Sequence, residues 1–140
     1  MTLAIELTDD PAIIGPILRV LRADLDPAHF ESRLAHALQH GYRALVTRDR
    51  DACLGFRITH DVHWGKTFFI DDLVVRPHLR GTGIGAALMD HAHKEADAMG
   101  CDVLRLCSGL TRTDAHRFYE RNGLNRVSLQ FSTPRHESPL

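Results

Sequence analysis

Apolar positions along the chain fall into short runs whose period switches between two and about 3.6, and each switch predicts an element. Leu3, Ile5 and Leu7 alternate with polar residues, giving a first strand. Asp9 or Asp10 can cap a helix with Pro11 in its first turn, and Ile14, Ile17, Leu18, Leu21 and Leu25 supply its apolar face. Asp26-Pro27 repeats the start signal; Phe30, Leu34 and Leu38 line a second helix, and Gly41 stops it. Tyr42 to Thr47 and Ala52 to Thr59 read as strands of a hairpin around the polar turn Asp49-Arg50-Asp51. A loop from His60 to Lys66 leads into a central strand, Phe68 to Val75, rich in aromatic and β-branched residues. Pro77 ends its pairing, because proline has no N–H to give.

Beyond a glycine-rich turn, Ile84, Leu88, Ala92, Ala96 and Met99 recur at helical spacing, and Gly100 ends that helix. Val103 to Cys107 is another strand, and a strand–helix–strand unit of this length asks for a right-handed parallel crossover. After the loop Ser108 to Arg112, Thr113 or Asp114 caps a short helix carrying Ala115, Phe118 and Tyr119, closed by Asn122-Gly123. Val127, Leu129 and Phe131 alternate as a last strand. The order β-α-α-β-β-β-α-β-α-β predicts an α/β fold, a mixed sheet flanked by helices in roughly three layers.

The bulk composition narrows the classes. With 140 residues the chain fits one domain, residues 1–132, followed by a loosely ordered tail, 133–140. A formal net charge of −1 gives no broad cationic surface for nucleic acid or anionic lipid. No apolar stretch approaches the length of a membrane span, and the N-terminus shows no signal-peptide pattern. Cys53, Cys101 and Cys107, an odd number in apolar segments, read as reduced, buried thiols of a cytoplasmic protein. Ten histidines invite a metal, but His91 and His93 do not share a helix face and no spacing matches a zinc signature, so no metal is expected. His60, His63 and Trp64 border the central strand and could help to select a substrate.

The chemistry concentrates after the central strand. Arg80-Gly81-Thr82-Gly83-Ile84-Gly85 places three glycines at alternate positions just before a helix. Such a turn aims several backbone N–H groups at one point, and the helix dipole adds positive charge there, which suits a phosphate-bearing ligand. Asp71 and Asp72 lie inside the strand itself. Neighbours on a regular strand point to opposite faces, so one carboxylate should meet a cleft and the other a helix or loop. A carboxylate in a strand seldom lacks a partner or a role, and either aspartate could serve as base or amine anchor.

The order of elements, Arg80-x-x-Gly83-x-Gly85 after Leu73-Val74-Val75, and Ala115-x-x-Phe118-Tyr119-x-x-x-Gly123-Leu124 downstream resemble the GCN5-related N-acetyltransferase (GNAT) family from about Leu3 to Phe131. The resemblance implies transfer of an acetyl group from acetyl-CoA to a primary amine, on a small molecule or a peptide, by direct attack in a ternary complex. It implies that backbone N–H groups of Arg80, Gly81, Thr82, Gly83, Ile84, Gly85 and Ala86 hold the coenzyme A pyrophosphate. It implies that Leu73, Val74 and Val75 pair with the pantetheine arm in a splay beside Val103–Cys107, and that Tyr119 protonates the leaving thiolate. Asp72 stands nearer than Asp71 to the expected thioester. Acceptor pockets in such domains are built from the first helices and the last strand, which could also pair across a homodimer. Two other readings are a non-catalytic acyl-CoA sensor on the same fold and an NAD-type domain, since Gly81-x-Gly83-x-x-Ala86 fits a loose dinucleotide fingerprint.

Overall fold

Among the described residues the longest strand contains the aromatic and β-branched run Phe68 to Val75. In the computed structural model, which describes residues 3–135, that strand is β4, Gly65–Val75. It belongs to the first of two compact units, which ends at Leu106; the second begins at Cys107. The first unit contains β1 (Ile5–Thr8), α1 (Pro11–Leu18), α2 (Pro27–Gln39), β2 (Arg43–Thr47), β3 (Ala52–Asp61), β4, α3 (Ile84–Ala98) and β5 (Val103–Leu106). Its sheet runs in the order β1-β2-β3-β4-β5. The first three pairings are antiparallel, and β4 pairs with β5 in parallel, as a crossover through α3 requires.

Both faces of this sheet are covered. Cys53 of β3 and Val74 of β4 share a core with Ile14, Ile17 and Leu18 of α1 and Phe30 and Leu34 of α2. Their neighbours in sequence alternate to the other face. There Phe56 and Phe68 stack with centroids 4.1 Å apart, and Leu88, Met89 and Ala92 of α3 are buried. Truncating a buried phenylalanine to alanine ordinarily costs roughly 3–5 kcal/mol, so this face carries much of the unit's stability. The buried Thr47 hydroxyl is satisfied: it accepts from the Asp51 and Ala52 amides at 3.0 and 3.1 Å and so closes the β2–β3 turn. At the far end, the Lys66 amide donates to Asp102 Oδ2 and Lys66 Nζ to the Met99 carbonyl, which ties the start of β4 to the α3–β5 junction.

Several expectations are corrected. The first helix ends at Leu18, and Arg19 to Leu25 continue in turns, with Val20 bonded to Ile17 O and Leu21 to Leu18 O. Leu21 and Leu25 still pack on the core, so the apolar pattern reported burial correctly and helix length incorrectly. Asp10 caps α1 by accepting from the Ala12 amide at 2.9 Å, whereas Asp26 makes no side-chain cap bond for α2. The hairpin ladder of β3 and β4 runs on through much of the expected His60–Lys66 loop, because antiparallel pairing continues to Asp61 and Gly65.

The second unit contains α4, Thr113–Arg121. Neither Thr113 nor Asp114 caps it: both lie inside the helix, and Arg112 occupies the cap position without a side-chain bond. The last strand expected at Val127–Phe131 does not form, and residues 124–135 adopt neither helix nor strand. Alternation supplies an apolar face but no ladder partner, and Val127, Leu129 and Phe131 are exposed. Residues 136–140 of the expected tail lie outside the described residues. Of the cysteines only Cys53 is buried; Cys101 is half-buried and Cys107 exposed. Among the described residues no helix is long and apolar enough to cross a membrane.

Burial pushes the Cys53 thiol up to about 12, with the Asp72 charge adding and Arg76 opposing. The Tyr42 hydroxyl is raised above its ordinary range, first by burial and then by the Asp72 charge. Both groups keep their protons in the folded state at pH values where the unfolded chain would lose them. Their stabilisation is complete below about pH 9 and is lost as pH rises. For Cys53 the loss approaches roughly 4 kcal/mol by pH 12, at about 1.4 kcal/mol per pH unit. Urea unfolding followed between pH 8 and 11 should therefore show a falling midpoint above pH 9; a flat profile contradicts the buried, protonated pair.

Candidate active site

Val75 ends β4, and the chain then turns sharply. Pro77–Leu79 forms one 3₁₀ turn, Arg80 is extended, and Gly81 and Gly83 take φ of +79° and +89°. Those left-handed angles favour glycine, which meets no Cβ penalty there. Gly83 is the cap position of α3, where a serine or aspartate would normally supply an oxygen; it supplies none. Among the described residues, the amides of Gly81, Thr82, Gly83, Ile84, Gly85 and Ala86 find no acceptor, and the first inward bond is Ala87 N to Gly83 O at 3.0 Å. A Cβ built at Gly81 or Gly83 would meet nothing within 4 Å. The turn is thus a set of bare donors at a helix N-terminus facing open space, and it fits an oxygen-rich anion. The Arg80 side chain folds back so that Nε donates to the Val75 carbonyl at 3.4 Å, bridging strand and turn.

The strand leading into this turn has a free edge. β5 pairs with β4 only from Thr67 to Ile70, and ends at Leu106. Asp71 to Val75 therefore has a partner strand on the β3 side alone among the described residues. Backbone donors and acceptors along that edge are available to an extended ligand arm.

Asp71 and Asp72 do not point to opposite faces. The β3–β4 register places Gly55 opposite Asp72 but Phe56 opposite Ile70, so Asp71 is the extra residue of a β-bulge. The bulge resets the alternation, and both carboxylates lie on the face of Cys53, Gly55 and Arg57. Arg57 holds Asp71 as a fork, Nε to Oδ2 and Nη2 to Oδ1, both at 2.7 Å. Asp72 has two separate partners: Tyr42 OH donates to Oδ2 at 2.9 Å and Arg22 Nη2 to Oδ1 at 2.8 Å. The Asp72 side chain is only 10% exposed, whereas Arg22 is 45% exposed.

Gly55 makes this arrangement fit. A Cβ there would lie 1.7 Å from the Tyr42 hydroxyl and 2.3 Å from its Cζ. Tyr42 is buried and cannot swing clear. Gly55→Ala should destabilise the protein by about 2–3 kcal/mol, the ordinary cost of overpacking, and detach Tyr42 from Asp72. Thermal unfolding of the variant checks this; an unchanged melting temperature contradicts it. Sequence reasoning passed over Tyr42, Arg57 and Gly55 as site-building residues. A glycine inside an apolar strand was the available signal, since it marks a close approach.

Further along the same face, Arg57 and Arg105 both lie over Phe69, and Arg105 also lies 4.6 Å from the Trp64 ring centroid. His63 meets the Trp64 ring edge-on at 4.8 Å. In the second unit, Tyr119 stands on α4 with its ring 5.5 Å from that of Phe118. Burial raises the Tyr119 hydroxyl above its ordinary value, opposed by the Arg112 charge. Among the described residues no cluster of three or more His, Cys, Asp or Glu side chains could hold a metal ion.

The sequence profile of the Acetyltransferase (GNAT) family matches residues 13–124. The chain belongs to this family. It is 34% identical over 125 residues to the uncharacterized N-acetyltransferase YhdJ of Bacillus subtilis (strain 168), covering 85% of this chain and 87% of the relative. It is 40% identical over 74 residues to the aminoalkylphosphonate N-acetyltransferase of Salmonella typhimurium (strain LT2), over 52% of this chain and 46% of that protein. The structure of AAC(6')-Iy in complex with a bisubstrate analogue, CoA-S-monomethyl-acetylneamine, shares the fold, with a TM-score of 0.79 at 14% identity over 97% of this chain and 100% of that one. The protein is thus a GNAT-type N-acetyltransferase with the mixed sheet of that fold. The NAD-type reading falls with this membership and with the sheet, which is mostly antiparallel where a dinucleotide fold is parallel.

Proposed function

We propose that this GNAT protein transfers the acetyl group of acetyl-CoA to a primary amine of a small molecule or peptide by direct attack in a ternary complex. The observation that carries the reading is the row of acceptor-free amides from Gly81 to Ala86, joined in sequence to the unpaired edge of β4. The amides from Gly81 to Ala86 would hold the pyrophosphate, whereas the Arg80 amide, expected to join them, already donates to the Pro77 carbonyl at 3.3 Å; Leu73 to Val75 would pair with the pantetheine arm. Bound there, coenzyme A supplies a thioester, an acyl group already activated toward amines. Backbone N–H groups of the β4 edge would bind the carbonyl oxygen as negative charge builds on it. Asp72 would take the proton that the attacking nitrogen must lose; as the new carbon–nitrogen bond forms and the carbon–sulfur bond breaks, the Tyr119 hydroxyl, kept protonated by burial, would give its proton to the departing sulfur and regain one from solvent.

The two aspartates differ in what they can offer. Both oxygens of Asp71 are occupied by one arginine fork, which makes it a brace for Arg57. Asp72 stands next to Leu73 and has a partner that is exposed and singly bonded, so it is the better anchor for an acceptor amine. A relative named for aminoalkylphosphonates and a neighbour bound to an acetylneamine analogue are in keeping with a small acceptor. The test is calorimetry with acetyl-CoA and with NAD, followed by acetyl release with a panel of amines. Binding of acetyl-CoA alone, with turnover on at least one amine, is expected. Binding without turnover on any amine would favour the sensor reading, and retention of NAD would overturn both.

A further inference from the structure

A polar cluster of the first unit, centred on Asp72, lies beside the proposed thioester position, and its charge balance constrains what can enter. Asp72 has Tyr42 on one oxygen and Arg22 on the other, at 2.9 and 2.8 Å. One anion thus meets one cation, and the cluster is neutral as it stands. Arg19 is held alongside: its Nη1 donates to the Arg22 carbonyl at 2.8 Å, and its guanidinium lies 5.2 Å from the Phe30 centroid. A plain alkylammonium that took Oδ1 of Asp72 would displace Arg22. It would leave that guanidinium, 45% exposed, without its carboxylate partner and beside a second cation, Arg19. An acceptor that brings its own anion solves both problems. Its ammonium replaces Arg22 on Asp72, and its anionic group takes the freed guanidinium, with Arg19 as a second cation.

We infer that the acceptor is a zwitterionic amine, a short amine carrying a carboxylate or phosphonate, selected by exchange of Arg22 from Asp72 to the acceptor's own anion. The inference rests on the acetyl-transfer reading above and names the substrate class for that site. Arg22 suits the exchange. It is half-exposed, bonds Asp72 through one nitrogen only, and comes from the turn after α1, which lies outside any helix or strand. Arg57 does not suit it, since its two-nitrogen fork on Asp71 would have to break twice. Tyr42 remains on Oδ2 throughout and keeps the carboxylate aimed. The exchange conserves charge: one ion pair within the chain becomes two between chain and acceptor.

The full chain is assayed with acetyl-CoA and either 2-aminoethylphosphonate, β-alanine or n-propylamine, which are of similar reach. Both zwitterions should exceed n-propylamine by about tenfold or more in kcat/KM, the scale of one charge-assisted pair. In Arg22→Ala the ratio should collapse to within about twofold, and Arg22→Lys should keep part of it, since charge survives and the fork does not. Acetyl-CoA affinity, read by calorimetry, should be unchanged in both variants. A wild-type preference for n-propylamine, or a ratio untouched in Arg22→Ala, would overturn the inference while leaving acetyl transfer intact. If no amine is acetylated, the earlier reading fails, and calorimetry with 2-aminoethylphosphonate still decides this one. Heat of binding in the wild type that is absent in Arg22→Ala supports the exchange, and no heat in the wild type refutes it.

Discussion

Gly83→Glu should abolish acetyl-CoA binding, lowering affinity by more than about a hundredfold while leaving the fold in place. Two causes act together. Position 83 has φ of +89°, so any side chain there carries left-handed strain of roughly 1–2 kcal/mol. The new carboxylate would also project from a spot with nothing within 4 Å, beside amides that have no acceptor of their own. It would place negative charge where the pyrophosphate is expected and could bond the same N–H groups. Gly83→Ala separates the causes, because it adds the strain without the charge and should weaken binding far less. Isothermal calorimetry of both variants gives the answer. Binding retained in Gly83→Glu would move the phosphate site elsewhere.

Tyr119→Phe should lower kcat roughly a hundredfold or more, the scale of a lost general acid, with acetyl-CoA affinity little altered. The substitution removes one oxygen from a half-buried ring and keeps its edge-to-face contact with Phe118. A purely packing role predicts unchanged turnover, so the variant discriminates. Because burial raises the hydroxyl above its ordinary value, the wild type should keep the proton well into alkaline solution, and its activity should not decline through phenol ionisation near neutrality. Steady-state kinetics between pH 7 and 9.5, with affinity measured in parallel, would show this. Equal kcat in variant and wild type would remove Tyr119 from the acid role.

Local chemistry was legible in the sequence wherever a single segment carried it. The aromatic and β-branched run, the proline stop, the glycine turn and the apolar stripe of α3 each have a cause within a few residues, and each appears as expected. What depends on distant partners was not. Val127, Leu129 and Phe131 alternate like a strand, but a ladder needs a second strand, and alternation cannot report whether one is there. The faces of Asp71 and Asp72 were misjudged because strict alternation assumes a regular strand; the single extra residue at the bulge reverses it. Tyr42 and Arg22 reach Asp72 across 30 and 50 residues of sequence, so no local pattern announces them. Gly55 was the one readable trace of that cluster, since only a side chain arriving from elsewhere explains a glycine with no room for Cβ.

Crystals grown with acetyl-CoA provide the most direct measurement. Pyrophosphate oxygens within about 3 Å of the Gly81–Ala86 amides, with the thioester carbonyl alongside Leu73–Val75, are the predicted result. A coenzyme bound with that turn empty would contradict the account.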